Sequence, residues 1–254
     1  MTLLRLFGAT PRTAAACIVF SCFATTAMAA AAGQQAGAKS RVATNARNAF
    51  VRLVHAVPDA PPVDIYLGSR KVVTGLAYTK ASRYLPLPPG TQTIRIARAG
   101  GGDALLEIPL TVEAGAAYTV AAAGTLKTLR PVVATDAFRP AGGKGGGSSL
   151  RVLHLAPDAP PVDVYSVGAK KGVGAETRLF QAAAYGKATA YSLVRAGSHT
   201  LEVRPSGNPL PVKEGIGAKL TPGRNMTAVA FGLLKGEDQQ AFRVVLLPDD
   251  SAAK

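Results

Sequence analysis

The chain has 254 residues, with 29 lysines and arginines against 15 aspartates and glutamates, no tryptophan, and cysteine only at Cys17 and Cys22. Its formal charge of +14 is spread along the chain without a basic block, which argues against a nucleic-acid ligand. Both cysteines lie in the first 29 residues, so thiol chemistry and disulfides are excluded from everything that follows them.

Arg5 and Arg12 precede an apolar stretch, Ala14–Ala27, and the small-x-small sequence Ala27-Met28-Ala29 ends it. This is the layout of a secretory signal peptide over residues 1–29, cleaved after Ala29. Two alternatives are an uncleaved anchor, since Thr13–Gln35 is long enough to cross a bilayer, and lipidation at Cys22. The alanine content and the bulky Phe20 speak against them. The protein is therefore expected to be exported to the periplasm, the cell surface or beyond, with no membrane span after cleavage. Residues 30–49, rich in Ala, Gly, Gln and cations, read as a flexible spacer.

A twelve-residue phrase then occurs twice. His55-Ala56-Val57-Pro58-Asp59-Ala60-Pro61-Pro62-Val63-Asp64-Ile65-Tyr66 returns as His154 through Tyr165, including Pro157, Asp158, Pro160 and Asp163, at a constant offset of 99. Each copy follows a run suited to a half-buried strand, in which His55 shares the face of Val51 and Leu53 while Arg52 takes the other. Pro58 stops that strand, Asp59 suits a turn, and Val63–Tyr66 reads as a second, short strand. Arg151 repeats Arg52 ahead of the second copy.

At this phrase the chain resembles the bacterial domain-of-unknown-function family 4397, whose motif His-x-x-Pro-Asp-Ala-Pro-x-Val-Asp-Val/Ile-Tyr is complete at 55–66 and 154–165. The resemblance implies an exported protein with tandem β-sandwich domains, and it implies no activity.

Further strands are expected at Lys71–Tyr78, Ser82–Leu87, Thr91–Ala97, Ala104–Val112 and Ala117–Ala123, with a last one within Leu126–Thr135. Turn signals at short intervals and no helical spacing argue for an all-β fold: an antiparallel sandwich with Greek-key connections, immunoglobulin-like or transthyretin-like. Repeat 1 spans 50–138, a glycine-rich linker 139–149, and repeat 2 150–254. The linker lacks the Lys-Ser/Thr pair and strand–helix context of a phosphate loop. In repeat 2 the offset grows from 99 to 107, so Tyr78, Tyr84 and Gly90 match Tyr185, Tyr191 and Gly197. An insertion thus falls in 166–181, where any division of labour between the copies is expected.

His55, Asp59 and Asp64, and likewise His154, Asp158 and Asp163, could hold a divalent ion. Turn-stabilising and strand-end roles account for the same residues, so the repeated motif, with Tyr66 and Tyr165, is read as structural. No catalytic residue and no cofactor is expected. His199 stands where repeat 1 has Gln92, outside the repeated unit, and no nucleophile elbow or zinc-binding pair occurs. The leading expectation is a non-catalytic envelope or extracellular module that recognises a glycan or an anionic polymer. A protein-interaction, assembly or adhesion module comes second, and a metal-assisted enzyme third.

Overall fold

The apolar run before the first phrase forms strand β1, Ala49–Ala56. The chain continues through β2 (Val63–Leu67), β3 (Arg70–Leu76), β4 (Leu85–Leu87), β5 (Gly90–Arg98), β6 (Ala104–Val112), β7 (Ala117–Ala123) and β8 (Arg130–Asp136). Repeat 2 supplies β9 (Gly147–His154), β10 (Val162–Val167), β11 (Thr177–Ala183), β12 (Ser192–Arg195), β13 (Gly197–Pro205), β14 (Lys213–Leu220), β15 (Asn225–Phe231) and β16 (Arg243–Pro248). The computed structural model describes residues 48–137, 146–167 and 176–249. The expected leader, nearly all of the spacer, most of the linker and the middle of the 166–181 insertion lie outside the described residues.

Each repeat is a sandwich of two four-stranded sheets. In repeat 1 the orders are β4-β1-β7-β8 and β3-β2-β5-β6; in repeat 2 they are β12-β9-β15-β16 and β11-β10-β13-β14. The all-β sandwich expected from the sequence is therefore present twice, with one departure from antiparallel pairing. At the centre of each first sheet the neighbours run parallel, Leu53 opposite Val120 and Leu153 opposite Val229. A parallel pair needs a long crossover, and here the other sheet is built between its two strands.

Alternation sets the faces. On β5, Ile94 and Ile96 are buried while Thr93 is exposed; on β6, Ile108 and Leu110 face the core and Glu107 and Pro109 face out. Pro86, Pro109 and Pro131 all fall on edge strands, where no ladder hydrogen bond is lost. Strand limits shift slightly from expectation. The run expected to reach Tyr78 ends at Leu76, that expected from Ser82 begins at Leu85, and the last strand of repeat 1 starts at Arg130. The linker also ends sooner than its glycines suggest: Gly147, Ser148 and Ser149 already pair with β12.

The larger correction concerns β1 and β9. They are not half-buried. Almost every residue of β1, β7, β9 and β15 is buried on both faces. One face of β1 joins the core of repeat 1 through Val51 and Leu53. The other, with Val54 and Ala56, joins a third core shared with Leu153, Leu155, Val229 and Phe231 of repeat 2. The two repeats thus pack back to back as four layers, and the described residues of both fall in one compact unit. Small side chains at Ala121 and Ala123 let the inner sheets meet there.

Candidate functional site

The two Pro-Asp corners are built alike. Each imidazole is almost fully buried, His55 at 1% exposure and His154 at 0%. The backbone N–H of Val57 donates to His55 Nδ1 at 3.3 Å, so Nε2 carries the proton and donates to the Pro61 carbonyl at 3.1 Å. His154 repeats this with Ala156 and Pro160. Burial lowers both pKa values, and the ring stays neutral in this arrangement.

The carboxylates of the phrase point to separate partners. Asp59 accepts from the N–H of Leu126 through both oxygens, at 2.9 and 3.1 Å, and Asp158 does the same for Leu234 at 2.9 and 3.0 Å. Asp64 lies under Lys71 (2.6 Å) and accepts from the N–H groups of Gly75 and Gly100. The Lys71 ammonium and those N–H bonds hold its carboxyl below the usual range. Burial opposes ionisation of Asp163, but the Ala182 N–H, the Ser206 hydroxyl and the Arg178 guanidinium together outweigh it, and its pKa is lowered as well. The structure does not bring His55, Asp59 and Asp64, or their counterparts, together around one point. Among the described residues no group of three or more His, Cys, Asp or Glu is placed to hold a metal.

Sequence reasoning missed the principal polar cluster, which lies between the repeats. Arg52 is 3% exposed; it donates to Thr119 Oγ1 (2.7 Å), to Asp249 Oδ1 (2.8 Å) and to the Pro248 carbonyl (2.9 Å). Arg151 donates to Thr227 Oγ1 (2.8 Å), to the Thr135 carbonyl (2.7 Å) and to Asp136. The threonine and tyrosine of each repeat complete its own aspartate. Thr119 and Tyr84 donate to Asp136 Oδ2 at 2.7 and 2.6 Å, and Thr227 and Tyr191 to Asp249 Oδ2 at 2.6 and 2.8 Å. Arg52 also lies over the Tyr84 ring (4.9 Å) and Arg151 over Tyr191 (4.7 Å). A cleft of about 360 Å³ opens beside this cluster, with Thr135, Arg151, Lys187 and Tyr191 on its walls. Arg151 is already engaged, which leaves Lys187 to supply a cation there.

On the outermost sheets, Tyr66 and Tyr165 occupy matching positions. Arg95 lies opposite Tyr66 in register, its guanidinium 4.0 Å above the ring, with Lys71 at 5.5 Å. In repeat 2 the residue opposite Tyr165 is Glu202, and Arg204, two residues on, covers the ring at 4.4 Å. His199 shares the parity of Leu201 and Val203 on β13, opposite to Glu202 and Arg204; it accepts from the Ser166 hydroxyl at Nδ1 (3.0 Å) and donates to the Arg195 carbonyl through Nε2 (2.7 Å). Among the described residues no carboxylate is hydrogen-bonded to that ring.

A family model described as Domain of unknown function (DUF4397) matches residues 49–165 and again residues 148–254. The chain belongs to this family. The first DUF4397 match runs past the linker to Tyr165, so it ends on the second copy of the phrase that opens the first. Among curated proteins none matches the chain. Similar solved structures include CBMbc (family CBM26) from Eubacterium rectale Amy13K in complex with maltoheptaose. The two share 12% identity over 81% of this chain and 98% of that one, with a TM-score of 0.25. At that score the likeness carries no functional argument for this DUF4397 protein.

Proposed function

We propose that the protein is an exported, non-catalytic binding module that holds an extracytoplasmic polymer, a glycan or an anionic envelope component, on the outer sheets of its two repeats. One observation carries this reading. Tyr66 and Tyr165 sit at equivalent places on the outermost layers, each capped by a guanidinium, and the crossed ion pairs fix the two faces relative to each other. Each outer sheet offers a cation-bearing aromatic surface, and the two faces, on opposite sides of the body, would take separate polymer chains or separate segments of one. The capped rings also favour polar or charged ligand groups over the bare stacking of neutral sugars. The aromatic faces that would stack a sugar are already occupied by arginine.

The test is binding of the mature protein to immobilised neutral and acidic polysaccharides across a salt series. Retention on acidic polymer that weakens as salt rises supports the reading. No retention on any polymer at low salt overturns it.

A further inference from the structure

The two outer faces share a tyrosine but differ in the charge set beside it. Arg95 stands directly opposite Tyr66, and the corresponding residue opposite Tyr165 is Glu202. Arg204, which covers Tyr165, stands where repeat 1 has Ala97: they are the partners of Asp163 and Asp64. Every nitrogen of the Arg204 guanidinium is taken. Nη1 and Nη2 form a two-pronged pair with Glu176 at 2.8 Å each, and Nε donates to Glu202 at 2.5 Å. Arg95 makes no hydrogen bond or ion pair among the described residues. It is half-buried, and its guanidinium carbon lies 4.0 Å over the Tyr66 ring, a contact that restricts the side chain before any ligand arrives.

We infer that repeat 1 carries an anion subsite at Arg95, backed by Tyr66, that takes the carboxylates of an acidic polysaccharide, and that repeat 2 carries no equivalent. The inference rests on the polymer-binding reading and narrows it. A guanidinium fork matches a carboxylate with two parallel N–H···O bonds. The exposed neighbours Thr93, Glu107 and Pro109 fit spaced carboxylates better than a bilayer. None of them is a large apolar side chain that would enter lipid, and Glu107 would repel a dense anionic surface. Glu107 stands directly across from Arg95 on β6, so the bound carboxylate approaches from the Tyr66 side, and Glu107 disfavours a second charge close beside it.

The experiment uses the full mature protein, with de-esterified homogalacturonan and its methyl-esterified form as probes. They share a backbone and differ in the carboxylate. Arg95→Gln is expected to weaken binding to the acid form by about ten-fold, the loss of one charge-assisted pair, and to leave the ester form unchanged. Arg95→Lys keeps the charge, loses the fork and falls between. Arg204→Gln is expected to weaken the acid form less than Arg95→Gln, because its guanidinium already serves Glu176 and Glu202, and equal melting temperatures exclude misfolding as the cause. If the ester binds as well as the acid, or Arg204→Gln matches Arg95→Gln, the subsite is overturned and polymer binding stands. If neither polymer binds, both readings fall. Arg95-dependent binding to phosphatidylglycerol vesicles without polymer binding would assign the site to lipid headgroups and overturn the inference.

Discussion

Arg52 and Asp249 are separated by 197 positions in the chain and by 2.8 Å in space. The reciprocal pair, Arg151 and Asp136, crosses the same boundary in the other direction. Each repeat therefore lends a cation to the other and receives one back. This is the arrangement of an isologous dimer interface, built here within one chain.

Removing one member of such a buried pair leaves a charge without its partner. Asp249→Ala is expected to cost about 3 kcal/mol of unfolding free energy, because Thr227 and Tyr191 lose their acceptor and Arg52 loses its nearer carboxylate, keeping only Asp136 at 4.0 Å. Replacing both partners, Arg52→Leu with Asp249→Leu, should recover a large part of that loss. Urea unfolding of the two singles and the double measures the coupling. Strictly additive losses would mean that the pair contributes nothing beyond its separate residues.

Much of the fold could be read in advance because its causes are local. Proline ends β1, alternation around Ile94 and Ile96 gives β5 its inward face, and the repeated phrase announces two like sandwiches. The inter-repeat boundary could not be read in this way. Arg52 is one charge in an apolar run, and such a charge ordinarily faces water. What turns it inward is an aspartate nearly two hundred residues away, a separation without periodicity. A signal was nonetheless present. Thr119 and Asp136 return as Thr227 and Asp249, and β7 and β15 are apolar on both faces, which a sandwich with one solvated side does not require. The contrast of Arg95 with Glu202 was likewise visible only once register showed both to face the matching tyrosine.

Acid sensitivity should come first from the two buried histidines. Burial sets their folded pKa values below the ordinary 6.5. The unfolded chain therefore takes up protons more readily, and acid favours unfolding. Stability should be full above about pH 6.5 and should fall as pH drops beneath it, by about 1.4 kcal/mol per pH unit for each histidine until the folded value is reached. The lowered carboxyls Asp64 and Asp163 act elsewhere: their contribution is present above 3.8 and is lost as pH falls through their lower folded values. Urea midpoints at pH 7.5 and 5.5 are the measurement. A flat profile, or one that His55→Gln with His154→Gln does not flatten, would remove the histidines as its source.

Asp59 and Asp158 clamp loops of their own repeats through the backbone N–H groups of Leu126 and Leu234. Asp59→Ala is expected to cost about 1–2 kcal/mol, and Asp59→Asn less, since an amide oxygen can still accept from Leu126. A chelator should leave the melting temperature unchanged. A drop on chelation, restored by a divalent ion, would return the carboxylates of the phrase to a metal-binding role.

Thr79 and Gly186 occupy the same turn of the two repeats, each donating its N–H to the carbonyl of the buried histidine, at 2.9 and 2.7 Å. Both adopt left-handed backbone, φ 65° and 73°. For a β-branched residue this costs about 1–2 kcal/mol, whereas glycine adopts it without strain. Thr79→Gly relieves that strain but frees the unfolded chain, an opposing effect of about 0.4–1 kcal/mol. The stronger term is the strain, so Thr79→Gly should leave stability unchanged or raise it slightly. Gly186→Thr meets both terms with the opposite sign. Strain outweighs the entropic gain, and a Cβ there would also come within 2.5 Å of Arg130 Nη2, so a net loss of about 1 kcal/mol is expected. Urea midpoints of the two variants decide the matter. If Thr79→Gly proves the more damaging change, the Thr79 side chain holds the turn in a way its backbone conformation does not reveal.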